Sequence, residues 1–135
     1  MGNRTVLPEG WRRPKGYSNA VVAQGRQIYV AGQVGWDSEE SFNSDDLAEQ
    51  ATQALRNVVA VLEAAGAGPE HIVRMTWYVT DKAAYIAGLK EIGEAYREII
   101  GRNFPAMTAV EVTALVEDRA KVEIECTAVV DEDSG

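Results

Sequence analysis

Few residues in this 135-residue chain have the chemistry to act on a small molecule, and the first to consider are carboxylates in unusual places. Glu111, Glu123 and Glu125 fall inside runs that alternate like β-strands, where Glu is disfavoured. Over 121–127, Val122, Ile124 and Cys126 alternate with Lys121, Glu123, Glu125 and Thr127, which gives one apolar and one polar face. Over 107–112, Met107, Ala109 and Glu111 share one side, and Thr108, Val110 and Val112 share the other. With Glu117-Asp118-Arg119 as a polar turn, the two runs read as a closing hairpin. A strand carboxylate that faces a cleft is placed to activate water. One that faces solvent, or a neighbour's Lys or Arg, is not. The residue pattern by itself favours the second reading for Glu123, and for Glu111 and Glu125 as well.

Other chemistries have less support. His71 is the single histidine, just after a Gly-Pro turn, so it has no second imidazole with which to hold a metal; no metal is expected. A Ser or Cys nucleophile would have only this remote His as its base. Cys126, the single cysteine, sits on the apolar side of its strand as a small core residue and makes no intrachain disulfide. Gly16, Gly25, Gly32 and Gly35 are too scattered for a phosphate loop.

The elements that must position these residues can be read in order. Residues 1–16 are an irregular lead-in with room for a short strand at 4–7. Strands follow at 17–24 and 27–34, with Gly25-Arg26 suited to a two-residue hairpin turn. After a polar loop holding Trp36, Ser44 is a candidate N-cap with Asp45 and Asp46 in the first turn. Leu47, Ala51, Leu55, Val58, Leu62 and Ala65 then form one helical stripe ended by Gly66, while Glu49, Gln50, Gln53, Arg56 and Asn57 fall away from it. A strand spans 72–80. Asp81 caps a second helix with Tyr85, Leu89, Ile92, Tyr96 and Ile99 on its buried side and Gly101 as its stop. Gly88 and Gly93 weaken that helix by about 1 kcal/mol each, which suggests close packing against a sheet. The closing strands and an acidic tail at 131–135 complete the chain.

The expected fold is therefore α+β in the order β-β-α-β-α-β-β: a single domain over 1–135, one mixed sheet and two helices on one face. The other face must be solvated or buried against a partner. At 46% hydrophobic and 25% charged, the chain has the composition of a globular domain that buries roughly two-thirds of its unfolded surface. Its apolar runs are too short to cross a membrane, and no secretory signal is evident, so a soluble cytoplasmic protein is expected. The net charge of −8, with no Lys/Arg cluster beyond Arg12-Arg13-Pro14-Lys15, argues against a nucleic-acid partner.

Phe104-Pro105-Ala106, a strand ending Val110-Glu111-Val112, and Lys121-Val122-Glu123-Ile124-Glu125 together resemble the closing segment of the RidA/YjgF family of enamine/imine deaminases. Val30-Ala31-Gly32-Gln33-Val34 resembles an earlier strand of that family, and the likeness runs from about Tyr17 to Val130. It implies a chorismate-mutase-like fold, a homotrimer whose sheets meet in a central barrel, and small-molecule sites in the three clefts between subunits. The implied reaction is hydrolysis without a cofactor. Glu123 matches the glutamate that holds the attacking water, Tyr17 matches a pocket tyrosine, and the backbone of Ala31-Gly32 matches the strand beside it. An Asn of the family's second helix corresponds, counting back from Phe104, to Lys90. One position departs: deaminating members carry arginine directly after Phe-Pro-Ala, and this chain has Met107. Arginine is a bidentate carboxylate clamp and Met is none. Either another cation, Lys90 or the more remote Arg119, replaces it, or the pocket takes a more apolar or uncharged ligand. Trp36 fits a pocket wall or a core position equally.

Three readings follow. The first is an enamine/imine deaminase, and the second a non-catalytic module that binds a metabolite or a partner through the same clefts. The third is an RNA-directed activity, which the charge disfavours.

Overall fold

The alternating runs become strands in a computed structural model of the chain, which describes residues 2–132. Part of the acidic tail expected at 131–135 lies outside the described residues. β1 (Arg4–Val6) and β2 (Ala20–Val22) make a small antiparallel ribbon. β3 (Arg26–Val34), β4 (Ile72–Val79), β5 (Ala106–Glu111) and β6 (Val122–Val130) make one mixed sheet in the order β3-β6-β4-β5. Three α-helices accompany them: α1 (Leu47–Ala64), α2 (Lys82–Ala87) and α3 (Leu89–Ile99).

Both expected hairpins fail to form. β5 and β6 are not paired, because β4 lies between them, parallel to β5 and antiparallel to β6. β6 has buried residues at Val122, Ile124, Cys126, Ala128 and Val129. A central position gives this apolar strand hydrogen-bonding partners along both edges. A period of two fixes which face a side chain takes, and says nothing about which strand lies alongside. At the other end, β2 pairs with β1 and β3 pairs with β6. Gly25, at φ 146°, serves a different close approach, since a Cβ there would lie 2.1 Å from the Val130 carbonyl oxygen. Tyr17 precedes β2 and is not part of a strand.

The helices also differ in detail from expectation. Asp46, rather than Ser44, caps α1: its Oδ2 accepts from the Glu49 N–H at 3.0 Å, while Ser44 Oγ accepts from the Asp46 N–H. The second helix breaks into α2 and α3 at Gly88. A Cβ on Gly88 would sit 3.4 Å from Ala48 Cβ, so the close packing is against α1 and not the sheet. Gln50 does not fall away from the core. It is 1% exposed, donating to the carbonyls of Ser44 and Arg119 and accepting from the Lys121 N–H. That triple bond set ties α1 to the 112–121 loop and satisfies the amide, whose burial would otherwise be costly.

The core lies between the helices and one sheet face. Leu55, Val58 and Leu62 of α1 pack with Met75 and Trp77 of β4 and Ile124 and Cys126 of β6 in one cluster. Full burial of each such aliphatic side chain contributes about 1.5–3 kcal/mol. The other sheet face carries Tyr29, Thr76, Tyr78, Glu123, Glu125 and Thr127, and among the described residues no helix covers it.

Candidate functional site

The three strand acids have different surroundings. Glu111 lies on the helix side, across from Val79, and its Oε1 accepts from the Lys82 N–H at 2.7 Å. It neutralises a free donor at the start of α2, where the dipole also favours negative charge. Glu125 accepts from the Tyr78 hydroxyl at 2.5 Å. That hydrogen bond, with desolvation and the negative field of both acids behind it, raises the Tyr78 pKa. The Glu123 carboxylate makes no hydrogen bond or ion pair among the described residues, and the residue is half-buried on the uncovered face. Its side chain occupies the space that a side chain at residue 32 would fill, since a Cβ on Gly32 would stand 2.0 Å from Glu123 Oε2. A register shift between Val30 and Gln33 interrupts the β3–β6 ladder beside it. Bulges of this kind re-aim side chains and recur next to active sites.

Tyr17 and Met107 belong to the opposite side of the sheet. Ser18 anchors this corner: its N–H donates to the Pro105 carbonyl at 3.0 Å, its hydroxyl donates to the Phe104 carbonyl, and it bridges Ala106 in parallel. Tyr17 is thereby held beside the start of β5. Together with Trp77, Tyr85, Ile92 and Phe104, Tyr17 and Met107 line a cavity of about 380 Å³, within the roughly 300–1,000 Å³ usual for small-molecule sites. Tyr96 stacks on Phe104 at 5.8 Å and donates to the Asn103 carbonyl at 2.6 Å, fixing the cavity's inner end. Burial raises the pKa of both Tyr85 and Tyr96, so these phenols stay neutral.

The remaining expected residues scatter. Ala31 and Gly32 lie on β3 beside Glu123. Trp36 packs against Phe42 at 5.7 Å, and its carbonyl accepts from Asn57, so it belongs to the loop before α1. Lys90 is exposed on α3 and is not part of the cavity wall, although its neighbour Leu89 is. Arg119 is occupied elsewhere, pairing with Asp45 at 2.9 Å and donating to the Phe42 carbonyl. His71 Nδ1 accepts from the Gly68 N–H at 3.0 Å and closes the turn before β4. Desolvation, with the Glu125 charge behind it, pushes the Cys126 thiol up to about 12, which suits a core residue and not a nucleophile. Among the described residues no cluster of His, Cys, Asp and Glu has metal-binding form, and no helix is long and apolar enough to cross a membrane.

Sequence reasoning missed Lys15, Trp77, Tyr85 and Arg97 as cavity residues. A faint signal existed in the helix. Tyr85, Leu89, Ile92 and Tyr96 form one stripe, but the exposed Leu89 lies beyond what the core can cover.

An α+β protein with an aromatic cavity on one face of its sheet and a carboxylate free of structural duty on the other has the parts of a small-molecule site. The chain belongs to the RidA/YjgF (Rid) family: the sequence profile described as "Endoribonuclease L-PSP" matches residues 12–130. It is 37% identical over 114 residues to the human 2-iminobutanoate/2-iminopropanoate deaminase, covering 84% of this chain and 79% of that protein. A RutC family protein of Pyrococcus abyssi is 32% identical over 95% of this chain and 98% of its own length. Among solved structures, a conserved Rid-family protein of Yersinia pestis superposes with a TM-score of 0.85 at 33% identity, covering 96% of this chain and all of that one.

Proposed function

We propose that this chain is a hydrolytic deaminase of enamines or imines, working without a cofactor in clefts between three copies of itself arranged with their uncovered sheet faces inward. Relatives named as 2-iminobutanoate/2-iminopropanoate deaminases support the reaction class. The observation that carries the rest is the separation of the site's parts. Tyr17 and Met107 lie on the helix side of the sheet, and Glu123 with Gly32 on the other. One chain cannot bring them to one ligand, whereas a second copy can supply the Glu123 side to the first copy's cavity. In this reading an enamine first takes a proton at its terminal carbon and loses one from nitrogen to become the imine. Glu123 then takes a proton from water as the water oxygen bonds to the imine carbon, and passes it to the nitrogen that receives the C=N π pair. The carbinolamine hydroxyl gives up its proton through Glu123 to the same nitrogen as the C–N bond breaks, so that ammonia leaves and the C=O of the oxo compound forms. Tyr17, Ala31 and Gly32 seat the substrate, Met107 forms an apolar wall, and Trp36 and Lys90 stand further out.

The test is release of oxo acid from freshly generated 2-aminoacrylate, with sedimentation alongside. Wild type accelerates release, and Glu123→Gln loses roughly 10²- to 10⁴-fold without change in assembly. Full activity in Glu123→Gln sinks the mechanism. The second reading, a binding module in the same clefts, is favoured by Met107 and predicts tight ligand binding with no release. If only Met107→Arg is active on this substrate, the scaffold is competent and the natural ligand lacks that clamp. A net charge of −8 weighs against an RNA substrate, despite the name of the family profile. Binding of an RNA oligonucleotide at low salt would reverse that judgement.

A further inference from the structure

The cavity beside Met107 has a composition unlike the rest of the molecule. In a chain with 21 acidic residues, no Asp or Glu among the described residues lines it, while Lys15 and Arg97 both do. Neither cation has a hydrogen bond or ion pair among the described residues. Arg97 lies back along its own helix: a Cβ on Gly93, itself a wall residue, would be 3.5 Å from the Arg97 Nη1. Further in, the wall is aromatic, from Trp77, Tyr85 and Phe104, with the exposed Tyr17 ring at its edge. The Trp77 Nε1–H is buried without an acceptor among the described residues, an uncommon and costly state for an indole in a core.

We infer that the cavity takes an organic anion with a bulky apolar or aromatic body: a 2-imino acid, and the 2-oxo acid it yields, whose carboxylate meets Arg97 and Lys15 at the mouth while the body enters among the rings. The inference rests on the deaminase reading for the reaction itself, and on the cavity alone for the ligand's shape and charge. An arginine at position 107 would extend from β5 into the space the ring needs. Met107 leaves that space apolar and shifts the carboxylate to the cations on α3 and the lead-in. The aromatic faces add specificity for a flat body, and the local positive charge, set in a negative protein, selects the anion over its neutral analogue.

Calorimetric titration of the whole protein with phenylpyruvate, pyruvate and phenylacetone tests this directly. Phenylpyruvate binds at least roughly tenfold tighter than pyruvate, because only it buries a ring. In the Lys15→Gln/Arg97→Gln double variant it loses roughly tenfold or more, while phenylacetone is unaffected. Both positions are exposed, so the variant folds. Equal affinity for pyruvate and phenylpyruvate, or wild-type binding by the double variant, overturns the inference. Imine hydrolysis by the same wild-type protein separates it from the deaminase reading. If wild type binds phenylpyruvate as stated but hydrolyses no imine, the deaminase reading fails and the pocket stands. If it hydrolyses 2-aminoacrylate but does not bind phenylpyruvate, the pocket assignment fails and the reaction stands.

Discussion

On the helix-covered face of the sheet, Met75, Trp77, Ile124 and Cys126 are buried in one apolar cluster; on the other face Tyr29 is 72% exposed, and Glu123, Glu125 and Tyr78 stand among threonines. The same four strands make both faces, with alternate residues assigned to each. The covered face supplies the folding energy, so its residues are interchangeable only with others of like volume. The uncovered face contributes little to the protomer's own stability. Its aromatic and acidic side chains are therefore free to serve assembly and chemistry. The acids follow this division: Glu111, on the covered side, accepts from the first N–H of α2, whereas the Glu123 carboxylate, on the uncovered side, has no hydrogen bond or ion pair among the described residues.

The largest expected contrast is between a core truncation and a substitution on the uncovered face. Leu55→Ala should cost about 2–5 kcal/mol in denaturant unfolding, because Leu55 is fully buried and its loss leaves a cavity. Tyr29→Ala should change unfolding of the protomer by about 0.5 kcal/mol or less, yet reduce the sedimenting mass if that face joins copies. A Tyr29→Ala protein as unstable as Leu55→Ala would erase the distinction between the faces. Gly32→Ala sharpens it. The new methyl group displaces the Glu123 carboxylate, while φ at residue 32 is ordinary for an alanine. Turnover should fall by roughly tenfold to a hundredfold, with the melting temperature unchanged or slightly raised. Glu111→Ala tests the opposite assignment, and should cost about 1 kcal/mol of stability through the lost bond to the Lys82 N–H at the start of α2, which Asp81 still caps, with turnover kept.

The smallest effect concerns Cys126. Its folded pKa is raised to about 12, above that of an unfolded thiol near 8.5, so the protonated form favours the native state. This contribution is complete below about pH 8.5 and disappears as pH climbs towards 12. At pH 8 an alkylating reagent should therefore leave Cys126 unmodified in the native protein and react once denaturant is added. Rapid native labelling would mean the covered face opens far more readily than its packing implies.

Much of the fold was legible because local physics writes it into the chain. Alternation marked β3 to β6, the stripe from Leu47 to Leu62 marked α1, and the motifs around Gly32 and Phe104-Pro105-Ala106 marked the family. Strand neighbours were not legible. The polar stretch after Val112 looks the same whether it closes a hairpin or crosses over β4, and only the burial of β6 on both edges decides between them. Among site residues, Glu123 could be singled out from Glu111 and Glu125 on its own merits only once their partners were known.

The sequence by itself determined the α+β class, the face each strand residue takes, the family and the absence of arginine at position 107, since all of these depend on residue type and short-range spacing. Tertiary structure alone decided that Tyr17 and Met107 lie across the sheet from Glu123, and that Lys15 and Arg97, 82 positions apart, meet at one cavity in an acidic protein. Those relations join residues distant in the chain, and no local periodicity encodes which distant segments pack together.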